Sequence, residues 1–138
     1  MSFETTADIR FAHVDAAGIV FYPRYFEMLN AAVEDWFAQE LGVDFRTMHQ
    51  ERAIGVPTVH VSADFQAPSV LGDRLTVRLT PRHVGRTSCS YDALFTASGR
   101  DRLKISGTLV CMCLRTQKAV PWPADIRDRM EHTLATAP

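Results

Sequence analysis

A single carboxylate, Asp15, stands in the stretch Asp15-Ala16-Ala17-Gly18-Ile19-Val20-Phe21-Tyr22-Pro23-Arg24-Tyr25. That stretch gathers what the cleavage of an activated acyl bond requires. Asp15 offers an anion that attacks a carbonyl carbon or takes a proton from water. Pro23 suits the first position of a helix, which puts Tyr22 at a helix N-terminus. Unpaired backbone N–H groups there, at the positive end of the helix dipole, can hold an oxyanion and keep Asp15 ionised. Gly18 permits close approach of backbone to a ligand. The flanking Ile19, Val20, Phe21 and Tyr22 would exclude water. The local sequence is equally compatible with a plainer role, because an Asp in a loop before a helix commonly serves as a turn or capping residue.

A second cluster is Arg82-His83-Val84-Gly85-Arg86-Thr87-Ser88, where Arg82 and Arg86 with Thr87 and Ser88 form a clamp for phosphate or an ordinary solvated hairpin. Arg74 and Arg78 are weaker candidates of the same kind. Two histidines merit attention. His13 precedes Asp15 by two residues and would share its face in an extended segment, and His60 alternates with apolar neighbours, a position from which it would line a pocket. His49, His83 and His132 read as surface residues, and Tyr91 and Asp92 as structural ones. No Gly-rich phosphate loop, nucleophile elbow or zinc signature is present in the sequence.

The elements that must position these groups follow from periodicity. Residues 3–12 read as a first strand and 23–41 as the one long helix, with an apolar stripe of Phe26, Leu29, Val33, Trp36 or Phe37, and Leu41, and Gly42 as its stop. Thereafter the period is two. Val59, Val61, Ala63 and Phe65 alternate with polar residues in 57–66, as do Leu75, Val77 and Leu79 in 74–82. Cys89, Tyr91, Ala93 and Phe95 share a face in 87–97, and Leu103, Ile105, Leu109, Cys111 and Cys113 share one in 103–115. Turn signals at Leu71-Gly72-Asp73, Val84-Gly85-Arg86 and Ser98-Gly99-Arg100-Asp101 imply antiparallel neighbours. A short helix is expected over 124–134. The fold class is therefore α+β, a curved antiparallel five-stranded sheet with one long helix on a face. One helix leaves a sheet face uncovered, and the apolar second side of 108–114 points to an oligomer.

The 138 residues fit one domain, 1–138, with a real core. A net charge of −1 gives no electrostatic reason to expect nucleic acid or an acidic membrane as partner. No run reaches the length of a membrane span, and the N-terminus does not read as a secretion signal. Three cysteines, Cys89, Cys111 and Cys113, argue against a disulfide framework and for a cytoplasmic, reducing compartment. They read as small apolar side chains rather than metal ligands, so no metal is expected.

The stretch from Asp15 to Tyr25 resembles the Asp-x-x-Gly-[Ile/Val]-Val-x-[Tyr/His]-x-x-Tyr pattern of the 4-hydroxybenzoyl-CoA thioesterase family, and the Tyr-Pro-x-Tyr ending is closest to its aryl-CoA branch. The likeness continues through Gly55-Val-Pro57-Thr-Val59, Ala63-Asp-Phe65, Leu71-Gly-Asp73-Arg-Leu75-Thr-Val77 and Arg82-His-Val-Gly85-Arg86-Thr-Ser88, from residue 5 to about 120. It implies the hotdog fold, a sheet wrapped around one long helix. It also implies dimers, often paired into tetramers, with active sites between subunits. Asp15 would be the catalytic carboxylate, the Tyr22 N–H would polarise the thioester carbonyl, and the Arg82–Ser88 turn would hold the phosphates of coenzyme A. No cofactor is expected, coenzyme A being part of the substrate. Asn30 stands where the family's best-known aryl enzyme has a carboxylate facing the acyl pocket. Few groups suffice because a thiolate leaves near its unperturbed pKa of about 8.5, without a strong general acid. The implied activity is hydrolysis of a small, aromatic acyl-CoA ester. Short or medium aliphatic esters, a hydratase relying on His13 or His60, and a non-catalytic acyl-CoA-binding module are the competing readings.

Overall fold

The computed structural model describes residues 2–136. Strand β1 (Phe3–Asp8) leads through a 3-10 turn to helix α1 (Pro23–Trp36), which continues as a π-helical turn over Phe37–Leu41. Gly42 ends it in the left-handed region, φ 82°, a conformation open to glycine at little cost. A second π-helical turn (Thr47–Glu51) and the short β2 (Ile54–Gly55) precede β3 (Thr58–Phe65), β4 (Arg74–Val84), β5 (Ser88–Ala97), β6 (Arg100–Val110), β7 (Met112–Cys113) and α2 (Ala124–Thr136).

Five strands form one antiparallel sheet in the order β1-β4-β5-β6-β3, and β2 pairs with β7 apart from it. The alternation expected from sequence is realised in the sheet's centre. Leu75, Val77, Leu79, Cys89, Tyr91, Ala93, Phe95, Leu103, Ile105 and Leu109 are all buried, against Tyr25, Met28, Leu29, Ala32, Val33, Trp36 and Phe37 of the long helix and its extension. Each large apolar side chain so buried contributes about 1.5–3 kcal/mol. The buried thiols are structural in the same sense: burial pushes Cys89 up to about 12 and Cys111 up to about 11.

Three expectations need correction. The first strand stops at Asp8 rather than running to residue 12, because its partner β4 begins at Arg74, opposite Asp8. Residues 11–13 form a 3-10 turn instead. The strand expected over 103–115 is broken after Val110: the Val110 and Cys111 N–H groups bond Pro57 O and Thr87 O, and Met112–Cys113 join β2. The second apolar side of 108–114 is thereby partly covered within the chain, with Val110 and Met112 half-buried. Uncovered apolar surface lies on β3, an edge strand, where Val59, Val61 and Phe65 are 60%, 41% and 53% exposed, and around the helix entrance, where Phe11, Phe21, Tyr22, Val70 and Leu71 are exposed too. A bulge between Thr58 and His60 shifts its register, so Thr58, Val61, Ala63 and Phe65 stand on the helix side and His60 on the other.

Candidate active site

Residues 14–20 form a miniature hairpin laid against the start of α1. Val14 bridges Val20, and the Asp15 N–H bonds Ile19 O at 3.0 Å. The Gly18 N–H closes the turn on Asp15 O, with Gly18 at φ 80°. Gly18 is needed for that left-handed turn, and a Cβ there would meet open space. At the base of the hairpin the Phe21 N–H bonds His13 O at 2.9 Å, which returns the chain to the helix entrance. Asp15 is exposed; its Oδ1 accepts the Ala17 N–H at 2.8 Å, and Oδ2 has no hydrogen-bond partner among the described residues.

Tyr22 is the residue before Pro23 at the helix start and is 60% exposed. Its backbone N–H has no acceptor among the described residues, whereas those of Phe21, Arg24 and Tyr25 are bonded. An unpaired N–H at the positive end of a 14-residue helix suits a developing oxyanion. The Tyr22 ring meets Phe65 edge-on at 6.3 Å, and Tyr25 lies between Phe65 and Phe95 at 6.0 and 5.8 Å. From here the seam between α1 and β3 opens into a groove of about 570 Å³ lined by Phe26, Leu29, Asn30, Val56, Pro57, Thr58 and Val61.

The hairpin rests on a network that sequence reasoning did not single out. The Val20 N–H bonds Ser69 O, and Ile19 bridges Val70. Arg102, 9% exposed, fastens that segment by donating to Pro68 O, Ser69 Oγ and Asp73 Oδ2 at 3.1, 3.1 and 2.8 Å and to Ala97 O at 3.3 Å. The Val70 N–H and then Arg102 hold the Asp73 carboxyl below its ordinary value. Arg102 turns inward because it is the extra residue of a bulge: Phe95 pairs with Leu103 and Thr96 with Asp101. Alternation alone gave no sign of that.

The Arg86-Thr87-Ser88 turn is also well fastened. Trp122 N–H and Nε1–H bond Arg86 O and Ser88 O, the Cys111 N–H bonds Thr87 O, and Arg127 Nη1 bonds Gly85 O at 2.7 Å. The Arg86 side chain is exposed and has no ion-pair partner among the described residues. Arg82, by contrast, pairs with Asp92 at 2.7 Å on the outer sheet face, as Arg74 pairs with Asp8 and Arg78 with Glu4.

One protomer does not unite these groups. The Asp15 hairpin sits near the beginning of β4 and the Arg86 turn follows its end, ten residues on, roughly 30 Å at strand rise. His60 lies opposite Thr108 on the outer face, away from Tyr22 and Phe65. His13 bends back so that its Nδ1 accepts the Arg10 N–H at 2.8 Å, so the extended geometry that would have set it beside Asp15 is not adopted. Among the described residues no group of three or more His, Cys, Asp or Glu side chains is placed to hold a metal ion, and no helix is long and apolar enough to cross a membrane.

Residues 9–130 match the family model described as the thioesterase-like superfamily. The chain is 32% identical over 116 residues to the 1,4-dihydroxy-2-naphthoyl-CoA hydrolase of Thermosynechococcus vestitus, covering 83% of this chain and 79% of that one. Among solved structures it is similar to a gentisyl-coenzyme A thioesterase, with TM-score 0.81, 27% identity, and coverage of 91% of this chain and 99% of that one. It is likewise similar to a variant 4-hydroxybenzoyl-CoA thioesterase complexed with 4-hydroxybenzoyl-CoA, with TM-score 0.86, 25% identity, and coverage of 94% and 98%.

Proposed function

The chain belongs to the thioesterase-like superfamily, and from that premise we propose that it is an acyl-CoA thioesterase of the hotdog fold that hydrolyses an aromatic acyl-CoA to the free acid and coenzyme A. The observation that carries the reading is the free Tyr22 N–H at the start of α1, with the Asp15 hairpin folded against the same helix entrance. The ester carbonyl oxygen accepts from this N–H, which stabilises the negative charge that grows on that oxygen as the carbonyl carbon becomes tetrahedral. One such donor is worth roughly 2.7–4 kcal/mol in well-studied oxyanion sites. Asp15 acts through its free Oδ2, either by attacking the carbonyl carbon or by removing a proton from the attacking water. Collapse of the tetrahedral intermediate breaks the C–S bond and expels the coenzyme A thiolate; where Asp15 is the nucleophile this leaves an acyl–Asp15 anhydride, which water then hydrolyses to the free acid and the restored carboxylate.

An aromatic acyl group is supported by the Tyr22, Tyr25, Phe65 and Phe26 side chains along the α1–β3 seam. It is supported also by the three relatives, whose named substrates all carry hydroxylated aromatic rings. The working unit of the proposal is a homodimer paired through β3. A two-fold axis across that edge sets the Thr58 end of one strand beside the Phe65 end of the other. The partner's Arg86 turn, which lies at the Thr58 end of its own sheet, then comes to the Tyr22 end of this one. Arg86 supplies the phosphate contact that Arg82, engaged with Asp92, does not.

The test is thiol release from a panel of aroyl, phenylacetyl and aliphatic CoA esters by wild type and Asp15→Asn. Turnover of aroyl esters that falls at least a hundredfold in a folded Asp15→Asn variant, with coenzyme A affinity kept, is the expected result. Unchanged kcat in the variant would remove Asp15 from the mechanism, and thiol release from no ester would favour a binding module.

A further inference from the structure

A bulge in β4 redirects one side chain. Leu75, Val77, Leu79 and Pro81 alternate onto the buried, helix side, and strict alternation would send His83 there too. The register slips at Arg82, so Pro81 pairs with Tyr91 but His83 pairs with Ser90 and Val84 with Cys89. Cys89 is buried on the helix side, which leaves His83 exposed on the outer face beside Arg82. One step further along that face, Gly85 lies opposite Ser88, its N–H bonded to Ser88 O at 2.8 Å. Gly85 is not in the left-handed region, so the backbone conformation does not require glycine. The space above it does: a Cβ there would stand 2.7 Å from Ser88 Oγ and 3.7 Å from His83 Nε2.

A hydroxyl and an imidazole thus converge over one bare backbone position, and neither has a hydrogen-bond partner among the described residues. The other charged groups of the neighbourhood are engaged, Arg86 excepted. On β5, Asp92 accepts from Arg82 and Ser106. From α2, Arg127 donates to Gly85 O and pairs with Glu131. Arg86, next to the glycine, has no ion-pair partner among the described residues. Three open donors on one fastened hairpin suit a group with several acceptor oxygens, which a phosphate has. Resting on the thioesterase reading above, we propose that His83 is a phosphate-binding residue of this enzyme: with Ser88 Oγ it holds a phosphate of coenzyme A over Gly85, beside the Arg86 guanidinium. In the dimer described above, this hairpin of one protomer comes to the Tyr22 end of the other, and its β5 stands three strand spacings from the other's β3, about 15 Å. The pantetheine arm crosses that interval. An imidazole changes charge between about pH 5 and 8. The charged form attracts phosphate, so affinity for coenzyme A is greatest at low pH and falls as pH rises through the imidazole's titration.

The experiment measures KM and kcat for one aroyl group carried on coenzyme A, on 3′-dephospho-coenzyme A and on pantetheine, at about pH 6 and pH 8. Wild type is compared with His83→Gln and Gly85→Ala, and the Kd of free coenzyme A is measured by calorimetry for all three. His83→Gln should raise KM for the CoA ester about fivefold or more at the lower pH and no more than about twofold at the higher. Its kcat, its melting temperature and its KM for the pantetheine ester should stay at the wild-type values. Gly85→Ala, whose methyl group displaces the Ser88 hydroxyl, should raise KM for the CoA ester at both pH values and again spare the pantetheine ester. The dephospho ester identifies the phosphate: effects lost on it assign the 3′-phosphate, and effects kept on it assign the diphosphate. Equal shifts on the pantetheine ester, or a His83→Gln effect of the same size at both pH values, would overturn the proposal. Calorimetry needs no turnover, so the two readings fail separately. Coenzyme A affinity that depends on His83 in a chain that cleaves no ester would refute only the thioesterase reading, and cleavage with an affinity indifferent to His83 and Gly85 would refute only this one.

Discussion

Replacing Arg102 by Met keeps most of the side chain's volume but removes four donated hydrogen bonds, to Pro68 O, Ser69 Oγ, Asp73 Oδ2 and Ala97 O. Breaking one side of a buried ion pair typically costs about 3–5 kcal/mol. Asp73 is 22% exposed at its side chain and keeps the Val70 N–H, so it regains some water, and the lower end, about 3 kcal/mol, is expected. For a domain of this size that corresponds to a drop in melting temperature of roughly 10 °C, measured at matched protein concentration because association shifts the midpoint. Catalysis should fall as well, in kcat, although Arg102 is not placed to touch substrate. The segment it fastens carries Ser69 O and Val70, on which the Ile19–Val20 arm of the Asp15 hairpin rests. Arg102→Lys should rescue little, since a single ammonium does not reproduce a planar fork that spans carbonyls on both sides. An Arg102→Met variant that melts within 2 °C of wild type with unchanged kcat/KM would refute both the energetic estimate and the positioning role.

Arg86→Ala should raise KM for full CoA esters about tenfold and leave truncated pantetheine esters nearly unchanged; equal effects on the two would argue against a phosphate contact. Val61→Lys places a charge on the exposed β3 edge and should give a folded monomer by size-exclusion chromatography with at least tenfold less turnover. A Val61→Lys dimer with full activity would move the interface elsewhere. Acid should destabilise the fold only at low pH. Asp73 (Val70 N–H, then Arg102), Asp125 (Arg52) and Asp44 (Thr47 N–H) are all held below the ordinary 3.8. Lowered carboxyl values stabilise fully above the unfolded pKa and lose that contribution as pH falls through the folded one. Denaturant midpoints should therefore show no loss from these groups between pH 7 and 5 and a steep loss below about pH 4.

The centre of the fold was legible in sequence because its two periodicities are strict. Leu75, Val77 and Leu79, or Cys89, Tyr91, Ala93 and Phe95, can alternate only if one face is covered, and the structure covers it. On β3 the alternation was equally clear and told less. A period of two says which side chains share a face, not whether anything lies over them, and the edge position of β3 leaves Val61 and Phe65 exposed. Bulges hid the rest. One removes Arg102 from the solvent face, and one shifts Thr58 into the helix-side row. The placement of Tyr91 over Gly107, sixteen residues on, depends on the register of β5 against β6, bulge included, which a single sequence does not encode in any local pattern.

The two readings of Asp15 in the sequence, turn residue and catalytic carboxylate, are not exclusive. A carboxylate has two oxygens and about four acceptor sites. Oδ1 accepts the Ala17 N–H and fixes the side-chain rotamer, while Oδ2 stays open. A turn bond of this kind does for Asp15 what a positioning side chain does elsewhere: it removes rotational freedom before the substrate arrives. Since Asn offers the same carbonyl acceptor to Ala17, Asp15→Asn should keep the hairpin and lose only the charged, reactive oxygen. Ala17→Pro, which removes the donor but not the carboxylate, should then lower kcat by weakening the restraint on Asp15. An Ala17→Pro enzyme as fast as wild type would show that the turn bond contributes nothing to catalysis.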